Sequence, residues 1–299
     1  MKSSLLLLFC PAFLLRAFGG DAPQVTSSLG QLITKPFASA PFPHPKRAEG
    51  HTYQQEFFSA AEHYNDSTVA VFIPKGFRET GTIDFVVHFH GWRNHVDEVL
   101  RRYQLIEQLV ESGRNAVLVV PQGPRDAPDS FGGKLEDTDG FRHFMDEVAE
   151  TLREKSALHK KDFTIGSIVL SGHSGGYRVI SSILDRGGIT EHVKEVWLFD
   201  ALYAETDKFL AWFDQYHGRL LDIYTEQGGT KEETERLMAT LKQRGTTFFS
   251  GDETKTTAGD LNSKRPIFLF TTLEHDEVLQ KHHTFREFLE TSCLQKLNP

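Results

Sequence analysis

Basic residues, cysteines and long apolar stretches are all scarce in this 299-residue chain. Lys and Arg number 33 against 41 Asp and Glu, a formal charge of −8, and no Lys/Arg-rich stripe marks one face. Binding to phosphate backbones needs such a face, so neither nucleic acid nor an anionic membrane is an expected partner. Only 2 cysteines occur, Cys10 and Cys293, which excludes a fold stapled by several disulfides. The one long apolar run, Leu5 to Leu15 behind Lys2, is too short to cross a bilayer stably. It has the size of the apolar segment of a secretory signal.

That run predicts a signal peptide over residues 1–20, cut near Ala17-Phe18-Gly19-Gly20, with Arg16 as an irregularity and an uncleaved anchor as the alternative. Cleavage after Gly20 removes Lys2, Arg16 and Cys10, which takes the charge to −10 and leaves Cys293 alone. The expected location is secreted or periplasmic, with no stable membrane insertion once the signal is gone.

What the chain does have is 39% hydrophobic residues and 24 Phe, enough for one sizeable core. Residues 21–50 carry Pro23, Pro36, Pro41, Pro43 and Pro45 without an apolar period and read as a linker or surface strap. Residues 51–299 read as one domain. Within it, β-rich apolar runs occur at Thr68 to Ile73, Ile83 to Phe89, Ala116 to Val120, Ile165 to Leu170, Val193 to Phe199, Leu220 to Tyr224 and Ile267 to Thr271. A further first strand is allowed for near Gln54 to Ala60. Several runs are apolar on both faces, as buried parallel strands are. Between them, Val96, Val99, Leu100, Tyr103, Ile106, Leu109 and Val110 form one helical face, and Phe141, Phe144, Met145, Val148, Ala149 and Leu152 another. The alternation predicts an α/β fold, a mostly parallel sheet with helices on both faces. Chemistry then collects at the carboxyl ends of the strands.

At one such end stands Gly172-His173-Ser174-Gly175-Gly176, a G-x-S-x-G pattern. By chance it would occur roughly once in nine chains of this composition. Its context raises it: Ile168-Val169-Leu170 is a strand before it, and Val179, Ile180, Ile183 and Leu184 form a helix face after it. A nucleophile on a sharp strand-to-helix turn needs neighbours without bulk, so Ser174 is the expected nucleophile. Upstream, the strand Phe85 to Phe89 runs into His90-Gly91-Trp92. A tetrahedral intermediate requires two backbone N–H groups aimed at its oxygen, and Gly175 and Trp92 are the natural donors. With these motifs, the sequence resembles the α/β-hydrolases from about residue 65 onward. The His-Gly-Trp turn and the Gly-His-Ser-Gly-Gly elbow are similar to a secreted esterase branch that includes feruloyl-esterase-like and polyhydroxyalkanoate-depolymerase-like enzymes.

The resemblance implies a chain order of nucleophile, acid, histidine, which puts the base after the last strand, at His275. His282 and His283 are alternatives, read as the start of a solvent-facing helix. For the acid, Asp200 follows a strand directly and Glu226 follows the next one. Asp200 is preferred because a carboxylate beside Trp197 to Phe199 will be held out of water, while a helix cap near Glu205 is its plainer role. His88, His90 and His95 could instead hold a metal, but no carboxylate accompanies them before Asp97, so His90 is read as bracing its loop and His88 as a core histidine. The short link from Phe199 to Arg219 leaves no room for a large cap domain. Trp92, Tyr177 and Tyr203 should lie near an open site. The expected activity is hydrolysis of small-molecule or polymer-borne carboxylic esters through an acyl-enzyme, without cofactor or metal. Alternatives are peptidase or amidase activity on the same triad, or a non-catalytic binding protein of this fold.

Overall fold

The computed structural model describes residues 24–159 and 162–297. The residues expected to form a signal peptide lie outside the described residues. Among the described residues twelve strands occur: β1 (Gln24–Thr26), β2 (Gly30–Pro36), β3 (His51–Tyr53), β4 (Glu56–Phe58), β5 (Thr68–Pro74), β6 (Thr82–Phe89), β7 (Ala116–Pro121), β8 (Thr164–His173), β9 (Val193–Phe199), β10 (Arg219–Thr225), β11 (Phe249–Asp252) and β12 (Ile267–Thr271). Ten of them build one sheet in the order β1-β2-β5-β7-β6-β8-β9-β10-β12-β11, while β3 and β4 pair as a separate hairpin. From β7 to β11 every neighbouring pair is parallel. The β1, β2 and β5 edge is antiparallel.

Alternation along each strand divides the core into two layers, because successive side chains point to opposite faces. Val69, Val71 and Ile73 of β5 and Phe85, Val87 and Phe89 of β6 enter one layer. Ala70 and Phe72, with Val86, enter the other. The α-helices among the described residues are α1 (Ala60–His63), α2 (Val96–Arg102), α3 (Leu105–Glu111), α4 (Gly140–Lys155), α5 (Tyr177–Arg186), α6 (Thr206–Tyr216), α7 (Lys231–Gln243), α8 (Ala258–Leu261) and α9 (Thr284–Glu290). The first layer is covered by α4, α5, α6 and α7, and the second by α2, α3 and α9. Between β9 and β10 only α6 intervenes, so no cap domain covers the sheet there.

The structure corrects three expectations. Gly30–Pro36, read as part of a linker, is a strand between β1 and β5, with Ile33 wholly buried, and Phe37, Ala40 and Phe42 beyond it are buried too. The region near Gln54 to Ala60 forms the β3–β4 hairpin and does not join the main sheet. The helical face from Val96 to Val110 belongs to two helices, because Gln104 is left-handed at φ 50° and ends the first. Tyr103 and Leu105 on either side are both buried, so the kink preserves the apolar face. Gln108 fastens it, its amide donating to the carbonyls of Tyr103 at 2.7 Å and Leu279 at 3.0 Å.

Candidate active site

Strand β8 ends at His173, and Ser174 follows with φ 53°, a left-handed backbone for a residue with a side chain. Such strain persists only where surroundings over-determine it. The turn Ser174–Gly176 leads straight into α5. Its first N–H groups, Gly175 included, precede any intrahelical acceptor. The turn after β6 presses against this elbow. A Cβ built on Gly91 would lie 2.5 Å from Cβ and 3.1 Å from Oγ of Ser174, so only glycine lets the two loops approach. Among the described residues no acceptor takes the backbone N–H of Trp92. The two expected donors therefore flank the serine with unpaired N–H groups.

Asp200 and His275 meet directly, Nδ1 to Oδ2 at 2.6 Å. Asp200 is wholly buried and follows β9 with φ 45°. Burial alone would raise its pKa, but hydrogen bonds from His275, Thr230 and Thr225 outweigh that and hold it below the ordinary carboxylate value. Thr225 donates from its hydroxyl to Oδ2 at 2.8 Å and from its backbone to Oδ1 at 3.2 Å, and the Thr230 hydroxyl also donates to Oδ1. A carboxylate so fixed presents one lone pair to the imidazole. Glu226 does not reach His275; both its oxygens pair with Lys231 at 2.7 Å on the exposed surface. The N-cap of α6 is Glu205, so Asp200 is not that helix's cap. His282 pairs with buried Glu253 at 3.0 Å, and His283 precedes α9.

Ser174 is tied to this pair through its neighbours. The ring of His173 lies 4.6 Å from that of His275, and its Nε2–H donates to the His275 carbonyl at 3.0 Å. Burial, then the nearby His275, push the His173 pKa down to about 4, which keeps it neutral and able to accept the Tyr103 hydroxyl at 3.4 Å through Nδ1. Tyr203 reaches the Ser174 side chain; burial and then the Asp200 charge push its phenol up to about 12, and its hydroxyl donates to Gly228 O at 2.6 Å. Tyr177 lies beside it, ring centroids 5.7 Å apart. A cleft of about 300 Å³ opens between Thr225–Gly228 and Thr272–His275.

The three upstream histidines do not converge. His88 is buried against Ser171 at 2.9 Å, while His90 donates from Nδ1 to Gly91 O at 2.8 Å and accepts Gly123 N at 2.9 Å. His95 pairs with Asp126 at 2.8 Å. Burial lowers the pKa of both His88 and His90, so each is a neutral hydrogen-bonding group. His90 braces the Gly91-Trp92 turn.

The Trp92 side chain does something the sequence did not suggest. Its indole packs over Gly175, whose added Cβ would fall 2.8 Å from indole Cδ1 and 2.6 Å from Ser130 Oγ. The indole N–H donates to that hydroxyl at 2.7 Å. Ser130, Thr225, Thr230 and Tyr103 join the site from positions that carry no local motif; each is recognisable only once the fold sets it against Gly175, Asp200 or His173.

This architecture is the α/β-hydrolase fold, and solved esterases share it. The chain is similar to a ferulic acid esterase, with TM-score 0.53 and 12% identity, over 75% of this chain and 91% of that one. It is similar also to the feruloyl esterase module from Clostridium thermocellum complexed with sinapinate, with TM-score 0.53, 8% identity and 88% of each chain covered. No protein-family model matches the sequence, and no curated protein does.

Proposed function

We propose that this protein is an exported serine hydrolase that cleaves carboxylic esters through an acyl-enzyme. The observation that carries the reading is the buried Asp200 on Nδ1 of His275, beside a serine in a left-handed elbow. In this mechanism the second imidazole nitrogen takes the Ser174 proton as Oγ attacks the ester carbonyl. Asp200 fixes the tautomer and stabilises the imidazolium that forms. Gly175 and Trp92 offer their unpaired backbone N–H groups to the oxyanion, and His275 then returns the proton to the departing alcohol. Water repeats the sequence to release the acid. The open surface above the sheet and the cleft beside His275 suit a small or polymer-borne ester, and the Leu5 to Leu15 run supports export. A fluorophosphonate probe is expected to label the protein at Ser174, and Ser174→Ala should fold normally yet lose both labelling and turnover. An ester panel of graded acyl length run beside an anilide panel checks the bond type; undiminished ester hydrolysis by Ser174→Ala would overturn the mechanism.

A further inference from the structure

Resting on that reading, we propose that the Ser130 hydroxyl is a third hydrogen-bond donor to the reacting carbonyl. Three observations converge on it. The Ser130 oxygen already accepts the indole N–H of Trp92 at 2.7 Å, which occupies one lone pair and fixes the atom in place. Its own proton has no acceptor among the described residues, although a hydroxyl is both donor and acceptor. The same oxygen lies against Gly175, only 2.6 Å from where a Cβ would stand, and so borders the N–H that the mechanism aims at the oxyanion.

The backbone carrying Ser130 is held on both sides. Asp129 accepts Phe131 N at 3.0 Å and the Arg47 guanidinium at 2.7 Å, and Phe131 is buried under Phe42, ring centroids 6.1 Å apart. A donor fixed before substrate arrives needs no reorganisation when charge develops, which is the condition for electrostatic stabilisation of a transition state. Beneath Ser130, Gly175 and Gly176 lies a void of about 20 Å³, lined also by Phe89 and His90. That is room for a single water at most.

The reaction gives two readouts, turnover and the affinity of a boronic acid that forms a tetrahedral adduct with Ser174. Ser130→Ala is expected to lower kcat on a p-nitrophenyl ester by about tenfold or more with KM within about twofold, since removing an oxyanion donor acts on the transition state. Phenylboronic acid should weaken by the same factor. Ser130→Cys keeps the shape and offers only a weak donor, so its kcat should fall with that of Ser130→Ala. Trp92→Phe, which retains the backbone N–H and releases the indole tether, should lose less than either. A kcat within twofold of wild type in Ser130→Ala or Ser130→Cys would overturn the proposal. So would a loss in Trp92→Phe equal to that in Ser130→Ala, because Ser130 would then act only by anchoring the indole. A wild-type protein inert toward every ester would instead remove the reading on which it rests.

Discussion

A carboxylate that orients an imidazole has to be ionised, immobile and shielded, and Asp200 meets all three conditions through Thr225 and Thr230. On the proposed mechanism, Asp200→Asn preserves shape but reverses the polarity facing Nδ1, favouring the wrong tautomer of His275. Turnover of an activated ester is expected to fall by up to about 10⁴, the cost of the corresponding change in a well-studied triad. Glu226→Gln, which disturbs only an exposed pair with Lys231, should cost less than about tenfold. Steady-state rates with circular dichroism on both variants check this, and a severe loss in Glu226→Gln beside a mild one in Asp200→Asn would transfer the role. Ser174, His275 and Asp200 were legible because each sits just past an apolar strand, where position alone carries meaning. Ser130 was not, for its importance depends on Trp92 folding back over Gly175, a contact between loops 83 residues apart that no local pattern encodes.

At the scale of elements, the strands buried on both faces were readable because continuous Val, Ile, Leu and Phe runs admit little else. Strand β2 escaped because it lies at the antiparallel edge, where Gln31, Thr34 and Lys35 flank only Leu32 and Ile33 and proline ends the run at Pro36. Composition weighted the prolines of residues 36–45 and missed the strand before them. A linker residue can be truncated at little cost, whereas a wholly buried strand residue cannot. Ile33→Ala is therefore expected to destabilise the protein by about 2–5 kcal/mol, read as a lower urea midpoint with unchanged m-value. A change under about 0.5 kcal/mol would mean that this edge adds nothing to the core. The split between α2 and α3 was hidden for a different reason. Tyr103 and Leu105 keep the apolar period across the kink, so periodicity sees one helix where the left-handed Gln104 makes two.

For the whole molecule, stability against pH depends on buried groups whose protonation differs between the folded and unfolded chain. His173 titrates near 6.5 when exposed and near 4 when folded. Between those values the unfolded chain binds more protons, so stability falls as pH drops from about 6.5 toward 4, and the buried His88 acts in the same direction. Asp222 behaves oppositely. Wholly buried on β10, with Thr234 on one oxygen at 2.6 Å and no partner on the other, it is pushed by burial from 3.8 up to about 7. Here the folded chain binds more protons between about 4 and 7, so stability falls as pH rises through that window and the full cost of the buried charge is present above it. Asp222→Asn mimics the neutral acid. It should stabilise the protein at pH 8, give about two-thirds of that gain near pH 6, and give little near pH 4. Replacing His173 with Gln should flatten the loss between pH 6.5 and 4, whatever its effect at pH 8. Urea midpoints for wild type and both variants at pH 4.5, 6 and 8 test the two slopes separately. Parallel curves for wild type and Asp222→Asn would show that the carboxyl is already neutral at pH 8 or reaches water, and parallel curves for His173→Gln would show that the imidazole takes up its proton in the folded state.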